Sequence, residues 1–358
     1  MKLKVYDATN KHDLDVATAD IKEALSKVEQ RAPDVVVAPP PRITPNDDLI
    51  GISEDVYAQI NAALQSGKRH LLFYGPPGTG KTQLAVDVAS QLSNEYALVT
   101  GSSDWTSQDL IGGYMPANNG KIAFLPGLLL QNFDKPFVVD ELNRCDIDKV
   151  LGPLFTVLSG APSTLPYLTD PDNADSLRYT ILAEYNPNTK PHEYSPTPYW
   201  RMLATINSID KASLYQMSYA LTRRFAWILV DVPSDLPQFI VEYCRRSQLG
   251  ERAADAPVPI ADVWSAINVE RKIGPAPVID LLRFCRAWKA DFPFFVAPDD
   301  MTRKIYLSAL SSFVFPMLDG ITSTQAERIA EAAARALQIA SGSEAEIELK
   351  ARLAEVSI

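Results

Sequence analysis

One eight-residue run limits what this 358-residue chain can fold into more than any other feature. Gly75, Pro76, Pro77, Gly78, Thr79, Gly80, Lys81 and Thr82 spell G-x-x-x-x-G-K-T. The run follows a short apolar stretch (70–74) that reads as a buried strand, and it opens a stretch (81–92) that reads as a helix. Glycines let backbone N–H groups curl around a polyanion, and a helix N-terminus adds favourable partial charge. Lys81 is placed to reach the β- and γ-phosphates of a nucleotide, and Thr82 to ligate Mg²⁺. A turn of this kind needs a strand beneath it and a helix rising from it.

The rest of the chain supplies matching parts. Residues 96–100, 136–140, 202–206 and 225–230 are further apolar strands, and helical stretches lie between strands. That alternation predicts an α/β fold, a five-stranded parallel sheet covered by helices on both faces. Phe137-Val-Val-Asp140-Glu141 ends an apolar strand in two carboxylates about 60 residues after the phosphate-binding turn, a Walker-B pattern. Asp140 is expected in the Mg²⁺ shell and Glu141 as the group that polarises the attacking water. Asn207 ends a third strand, at the edge where parallel sheets bind ligands. Arg223 and Arg224 precede the last strand. A guanidinium there is expected to enter a neighbouring subunit's site and neutralise transition-state charge; the sequence does not choose between the two.

Outside these strands the chain divides into other regions. Residues 12–31 show helical spacing, and five prolines between Pro33 and Pro45 mark an extended linker. A helix is expected over 53–66. Residues 162–200 hold seven prolines and break the alternation, as a functional insertion does. Beyond Pro233 the pattern turns helical, at 239–247, 263–270, 278–290, 303–315 and 324–339, and predicts an all-helical C-terminal region. The expected organisation is therefore 1–48, an N-terminal helix and Pro-rich linker; 49–232, the nucleotide-binding α/β domain with insertions near 110–127 and 162–200; and 233–358, a helical lid and C-terminal helical domain.

Charge and cysteine usage narrow the function. With 34 basic and 44 acidic residues the chain carries a net charge of −10, which argues against a nucleic-acid module acting alone, since those present a basic face. Cys145, Cys244 and Cys285 fit neither zinc spacing nor a disulfide framework, and point to a reducing cytoplasm. No apolar run approaches the ~18 residues of a membrane span, and the start MKLKVYDATNKHD lacks the apolar stretch of a signal peptide. His70, at the mouth of a strand, reads as structural and Cys145 as a small core residue. His192, Trp105 and Tyr114 lie in or beside the insertions, where packing and pore contact both remain open.

GPPGTGKT, VVDELNR, LATINSID and ALTRRF together resemble the AAA+ ATPases of the MoxR/McrB clade, and the McrB-type, dynein-related modules in particular. The run from Asp104 to Tyr114 is similar to the segment before that clade's helix-2 insertion, and KIAFLPG (121–127) to the insertion's hairpin and exit. Asp140-Glu-Leu-Asn-Arg144 matches the DExNR form. The resemblance covers about 49–232 well, the helical part loosely and the first 48 residues not at all.

The resemblance implies an AAA+ core with a helical lid, an Mg²⁺-dependent ATP- or GTP-hydrolysing ring, usually of six subunits, and sites shared between subunits. Asn207 is then sensor 1, Arg223 or Arg224 the arginine finger, and Asn143 and Arg144 line the interface. Residues 162–200 hold the hairpin before sensor 1, facing the pore. A McrB-like ring drives a nuclease partner along DNA in a restriction or phage-defence complex; a MoxR-like ring is a chaperone for protein partners. A nucleotide-gated scaffold with little turnover is the alternative of another class. One departure stands out: Ile273-Gly-Pro-Ala-Pro-Val-Ile-Asp280, where a sensor-2 arginine is expected, has none before Arg283. Sensor 2 is absent, or Arg283 substitutes for it.

Overall fold

The computed structural model describes residues 41–117, 121–207 and 219–358. The helix expected over 12–31, most of the proline-rich linker, the tip of the first insertion and the residues just after Asn207 lie outside them. The central sheet is built from β1 (His70–Gly75), β2 (Ala97–Thr100), β5 (Phe137–Asp140), β9 (Met202–Asn207) and β10 (Phe225–Leu229), all parallel, in the order β10-β1-β9-β5-β2. The chain is an α/β P-loop NTPase fold with a helical C-terminal region, as the strand–helix alternation predicts.

Alternate residues show why these strands are central. In β1, Leu71 and Phe73 pack with Leu84, Ala85 and Val88 of α2 (Lys81–Leu92) and with Ile60 of α1 (Glu54–Gln65). Leu72 points the other way, among Phe137, Val139, Met202 and Ala204. Both faces are therefore buried, which is why the strands read as continuous apolar runs. Truncating one such side chain to alanine costs about 2–5 kcal/mol.

Two small sheets flank the core. β3 (Gly112–Pro116) and β4 (Ile122–Pro126) form an antiparallel hairpin in the first insertion. Residues 162–200, which sequence pattern gives no strands, contain β6 (Ser163–Leu168), β7 (Arg178–Ile181) and β8 (Glu193–Tyr194) in one three-stranded sheet. An aromatic cluster joins the two insertions: Tyr114 lies 5.0 Å from Tyr167, and Phe124 stacks 4.6 Å from Tyr179. The Tyr114 hydroxyl donates to the Leu168 carbonyl at 3.1 Å, so Tyr114 packs rather than projects.

The C-terminal region comprises α3 (Leu236–Arg246), α4 (Pro259–Glu270), α5 (Pro275–Trp288), α6 (Asp300–Ala309), α7 (Ser323–Ala336) and α8 (Glu344–Glu355). Phe239, Trp264, Leu281, Tyr306 and Ile329 share its core. The helix expected over 303–315 departs from α geometry at Leu310, where a π turn (Leu310–Val314) leads into a 3-10 turn (Phe315–Leu318). Pro316, which lacks a backbone donor, stands in that second turn. Helix α8 escapes the sequence pattern because only Leu349 and Leu353 are buried along it.

Candidate functional site

Parallel pairing brings the expected site residues to one edge. Gly75, which ends β1, is in register with Asn207, which ends β9, and β5 ends between β9 and β2 at Asp140. The run 75–82 leaves β1 and enters α2 with Gly80 as N-cap, and no side chain caps the helix. The first-turn N–H groups of α2 are thus available to an anion. Lys81 is buried to 6% exposure, and its Nζ donates to the carbonyls of Gly75 (3.1 Å) and Pro76 (2.6 Å). Burial pushes the ammonium down to about 8, while Asp140 and Glu141 pull it upward. A cation taken out of water and held only by carbonyls is completed by an anion. Thr82 Oγ1 donates to Asp140 Oδ1 at 2.6 Å, and this pair of hard oxygens fits a magnesium shell.

Glu141 follows β5 in a left-handed conformation, φ 50°, ψ 49°, a placement that costs a non-glycine residue about 1–3 kcal/mol and persists only where surroundings impose it. Asn207 Nδ2 donates to its Oε1 at 3.4 Å, and Arg144 pairs with its Oε2. The structure therefore gathers Lys81, Thr82, Asp140, Glu141 and Asn207 around one mouth.

Arg223 and Arg224 lie elsewhere. Phe225 is in register with His70 at the start of β1. The five residue steps of β1 separate that edge from the phosphate-binding turn by about 16 Å, farther than an arginine reaches. Arg224 is half-buried, donates from Nε to the Phe155 carbonyl at 2.7 Å and lies 5.0 Å over the Phe155 ring. Arg223 is exposed in a cleft with Lys68, Arg69 and Tyr219. Lys68 Nζ donates to the Arg223 carbonyl at 2.7 Å. Beneath the cleft His70 is buried and accepts the Met202 N–H on Nδ1 at 3.0 Å. Burial, then Arg69, Arg201 and Lys68, push its imidazole down to about 3.

Arg283 is engaged inside the helical region, donating to the Tyr243 hydroxyl at 2.8 Å with its guanidinium 5.9 Å over that ring. The stretch 273–280, where a sensor-2 arginine is expected, instead meets the phosphate-binding turn by backbone. Gly274 N–H donates to the Pro77 carbonyl (2.8 Å) and Ala276 N–H to the Gly78 carbonyl (3.0 Å). A Cβ at 274 would lie 2.3 Å from Gly78 C, so only glycine fits.

Residues 70–225 match the AAA domain of the dynein-related subfamily. The matched segment is an AAA domain. Among curated proteins, the peroxisomal ATPase PEX6 of Kluyveromyces lactis is 32% identical over 115 residues, 28% of this chain and 11% of that protein. The Holliday junction branch migration complex subunit RuvB of Thermomicrobium roseum is 28% identical over 135 residues, 34% of this chain and 38% of that protein. These matches span well under two thirds of the relatives' lengths. A solved structure of the Thermotoga maritima RuvB branch migration motor aligns at a TM-score of 0.43 and 17% identity, over 85% of this chain and 88% of that one.

Three features of the AAA domain's surroundings escaped the sequence reading. Thr205 touches both Walker-B carboxylate residues. Lys68 braces Arg223 from 155 positions away. A cleft beside the phosphate-binding turn is lined by Ile50, Ile52, Val56, Val230 and Phe239, with Ile52 Cδ1 3.9 Å from where a Gly80 Cβ would stand. The run Ile50-Gly-Ile52 was the available signal for that cleft. No helix among the described residues is long and apolar enough to cross a membrane.

Proposed function

We propose that this chain is a ring-forming, Mg²⁺-dependent nucleoside triphosphatase whose active site is completed by the next subunit. The observation that carries the reading is the separation across the sheet. Lys81, Asp140, Glu141 and Asn207 stand at one edge, and the exposed Arg223 stands at the other, beyond reach of its own site. Closed rings of head-to-tail copies bring such opposite edges together.

In this reading the α2 N-terminus and Lys81 bind the β- and γ-phosphates, and the cleft at Ile50 and Ile52 takes the base. These phosphate contacts do not distinguish ATP from GTP. Thr82 and Asp140 hold Mg²⁺, which when bound neutralises charge on the β- and γ-phosphate oxygens. Glu141 takes the proton of the attacking water, with Asn207 orienting it. Arg223 of the adjacent subunit stabilises the charge that develops. Arg223 is preferred to Arg224 because Arg224 is tied to Phe155.

The motifs DELNR and LATINSID favour a McrB-like motor that moves a macromolecule, with DNA through the pore and a nuclease or other effector on a separate chain, as in restriction or phage defence. A MoxR-like chaperone acting on protein remains the second reading, and the net charge of −10 favours it. Glu141, set beside Asn207, speaks against a scaffold without turnover. A cytoplasmic hexamer is the expected form.

Mixed rings test the shared site. Glu141→Gln and Arg223→Ala are each expected to lose turnover while still binding nucleotide. Mixed together under conditions of subunit exchange, they regain part of it, because some interfaces then pair an intact glutamate with an intact arginine. Phosphate release that stays flat across all mixing ratios, with mixed rings shown by native mass spectrometry, overturns the shared-site reading.

A further inference from the structure

We infer that Thr205 is a positioning residue for Glu141, acting with Gly101 to hold that glutamate's backbone in its left-handed conformation. The inference rests on the reading of Glu141 as the water-activating group and goes beyond it. Thr205 lies on β9, two residues before Asn207, and is 2% exposed. Its hydroxyl has two partners. It donates to Asp140 Oδ1 at 2.6 Å and accepts the Glu141 N–H at 2.9 Å.

The second bond matters because of where the sheet ends. β5 pairs with β9 up to Val139, opposite Ala204. Past that point Glu141 turns away, and a side-chain oxygen takes the N–H that a strand carbonyl would otherwise accept. A hydroxyl can do both jobs at once, since it is one donor with two acceptor lone pairs. Valine has the same shape and can do neither.

The other side of Glu141 is fixed by β2. Gly101 N–H donates to the Asp140 carbonyl at 2.8 Å, and a Cβ on Gly101 would stand 2.5 Å from the Glu141 carbonyl oxygen. Glu141 is thus held between the end of one strand and the bare backbone of another. The energy stored in its φ of 50° is sustained by these two contacts. Its side chain is thereby presented to Asn207 and toward the mouth above Lys81.

Asp140 does not depend on Thr205 alone, because Thr82 donates to the same oxygen. That redundancy separates the two effects of removing the hydroxyl. Thr205→Val is expected to lower kcat on the order of 10²-fold, as a misplacement of about an ångström does. Nucleotide affinity, measured by calorimetry, should stay within a few-fold of wild type. Thr205→Ser, which keeps the oxygen, should restore most of kcat. Raising Mg²⁺ should not.

Gly101→Ala reaches the same glutamate from the opposite side and is expected to give the same pattern, kcat falling with KM held. It keeps the proposal testable if the valine variant folds poorly. Wild-type kcat in a folded Thr205→Val overturns the inference, and so does full recovery at high Mg²⁺, which would place the role on Asp140. Glu141→Gln is run beside them. If Glu141→Gln itself turns over normally, the reading of Glu141 fails; if it is dead while Thr205→Val is unaffected, only the positioning role fails.

Discussion

The two edges of the central sheet both carry positive charge, and they hold it in opposite ways. At the edge where the strands end, Lys81 is buried and tied to the carbonyls of Gly75 and Pro76. At the edge where they begin, Arg223 is exposed and Lys68 binds only its backbone. The first arrangement is preorganised for a ligand that comes to it. The second is a solvent-facing charge, which the shared-site proposal assigns to the neighbouring subunit. About 16 Å of parallel strand lies between the two cations, so under the shared-site proposal one chain holds the two halves of the chemistry apart.

The comparison breaks most sharply at the buried cation. Lys81→Ala is expected to abolish nucleotide binding, so that calorimetric titration shows no heat of association. If affinity is unchanged, the strand-end edge is not the phosphate site. The exposed edge gives a smaller but more discriminating effect. Arg223→Ala should keep nucleotide affinity and lose turnover by up to ~10³-fold. Arg224→Ala should mainly lose stability, about 1–3 kcal/mol for a charged hydrogen bond to Phe155, read as a lower urea midpoint. The reverse pattern would assign the reaching role to Arg224.

The remaining effect lies under the exposed edge, at His70, and is read in pH-dependent stability and not in turnover. Its folded value of about 3 is below the ordinary value near 6.5. As pH falls through that window the unfolded chain takes up a proton that the folded chain refuses. Stability contributed by neutral His70 is therefore complete above 6.5 and lost on the way down to 3, at up to about 1.4 kcal/mol per pH unit. His70→Asn keeps an acceptor for the Met202 N–H and does not titrate. The stability advantage of wild type over this variant should shrink between pH 7 and pH 4. A gap that stays constant would mean that His70 is not the titrating group.

Legibility in the sequence follows the same division. The strand-end edge was readable because its chemistry is local: 75–82 and 137–141 each carry their chemistry within eight residues. The five central strands were readable because burial on both faces leaves unbroken apolar runs. The small strands β6–β8 were not. They are short, rich in proline and polar residues, and hold together through aromatic contacts with Phe124 and Tyr114 from another insertion. Thr205 and Lys68 were illegible for a related reason. A threonine in an apolar strand and a lysine after a helix carry no signal until the fold supplies Glu141 and Arg223, 64 and 155 positions away.

The seam at Gly274 has a mechanical consequence. Pro77 and Gly78 lend their carbonyls to the start of α5, and no side chain separates the two backbones. Movement of the start of α5 relative to the phosphate-binding turn would therefore stretch two main-chain hydrogen bonds. Reciprocity sets the size of the return. Whatever free energy an occupied turn uses to bias the tilt of α5, a force that opposes that tilt gives back as weakened affinity for the occupant. The route between the two is main chain alone, the two hydrogen bonds that join Pro77 and Gly78 to Gly274 and Ala276.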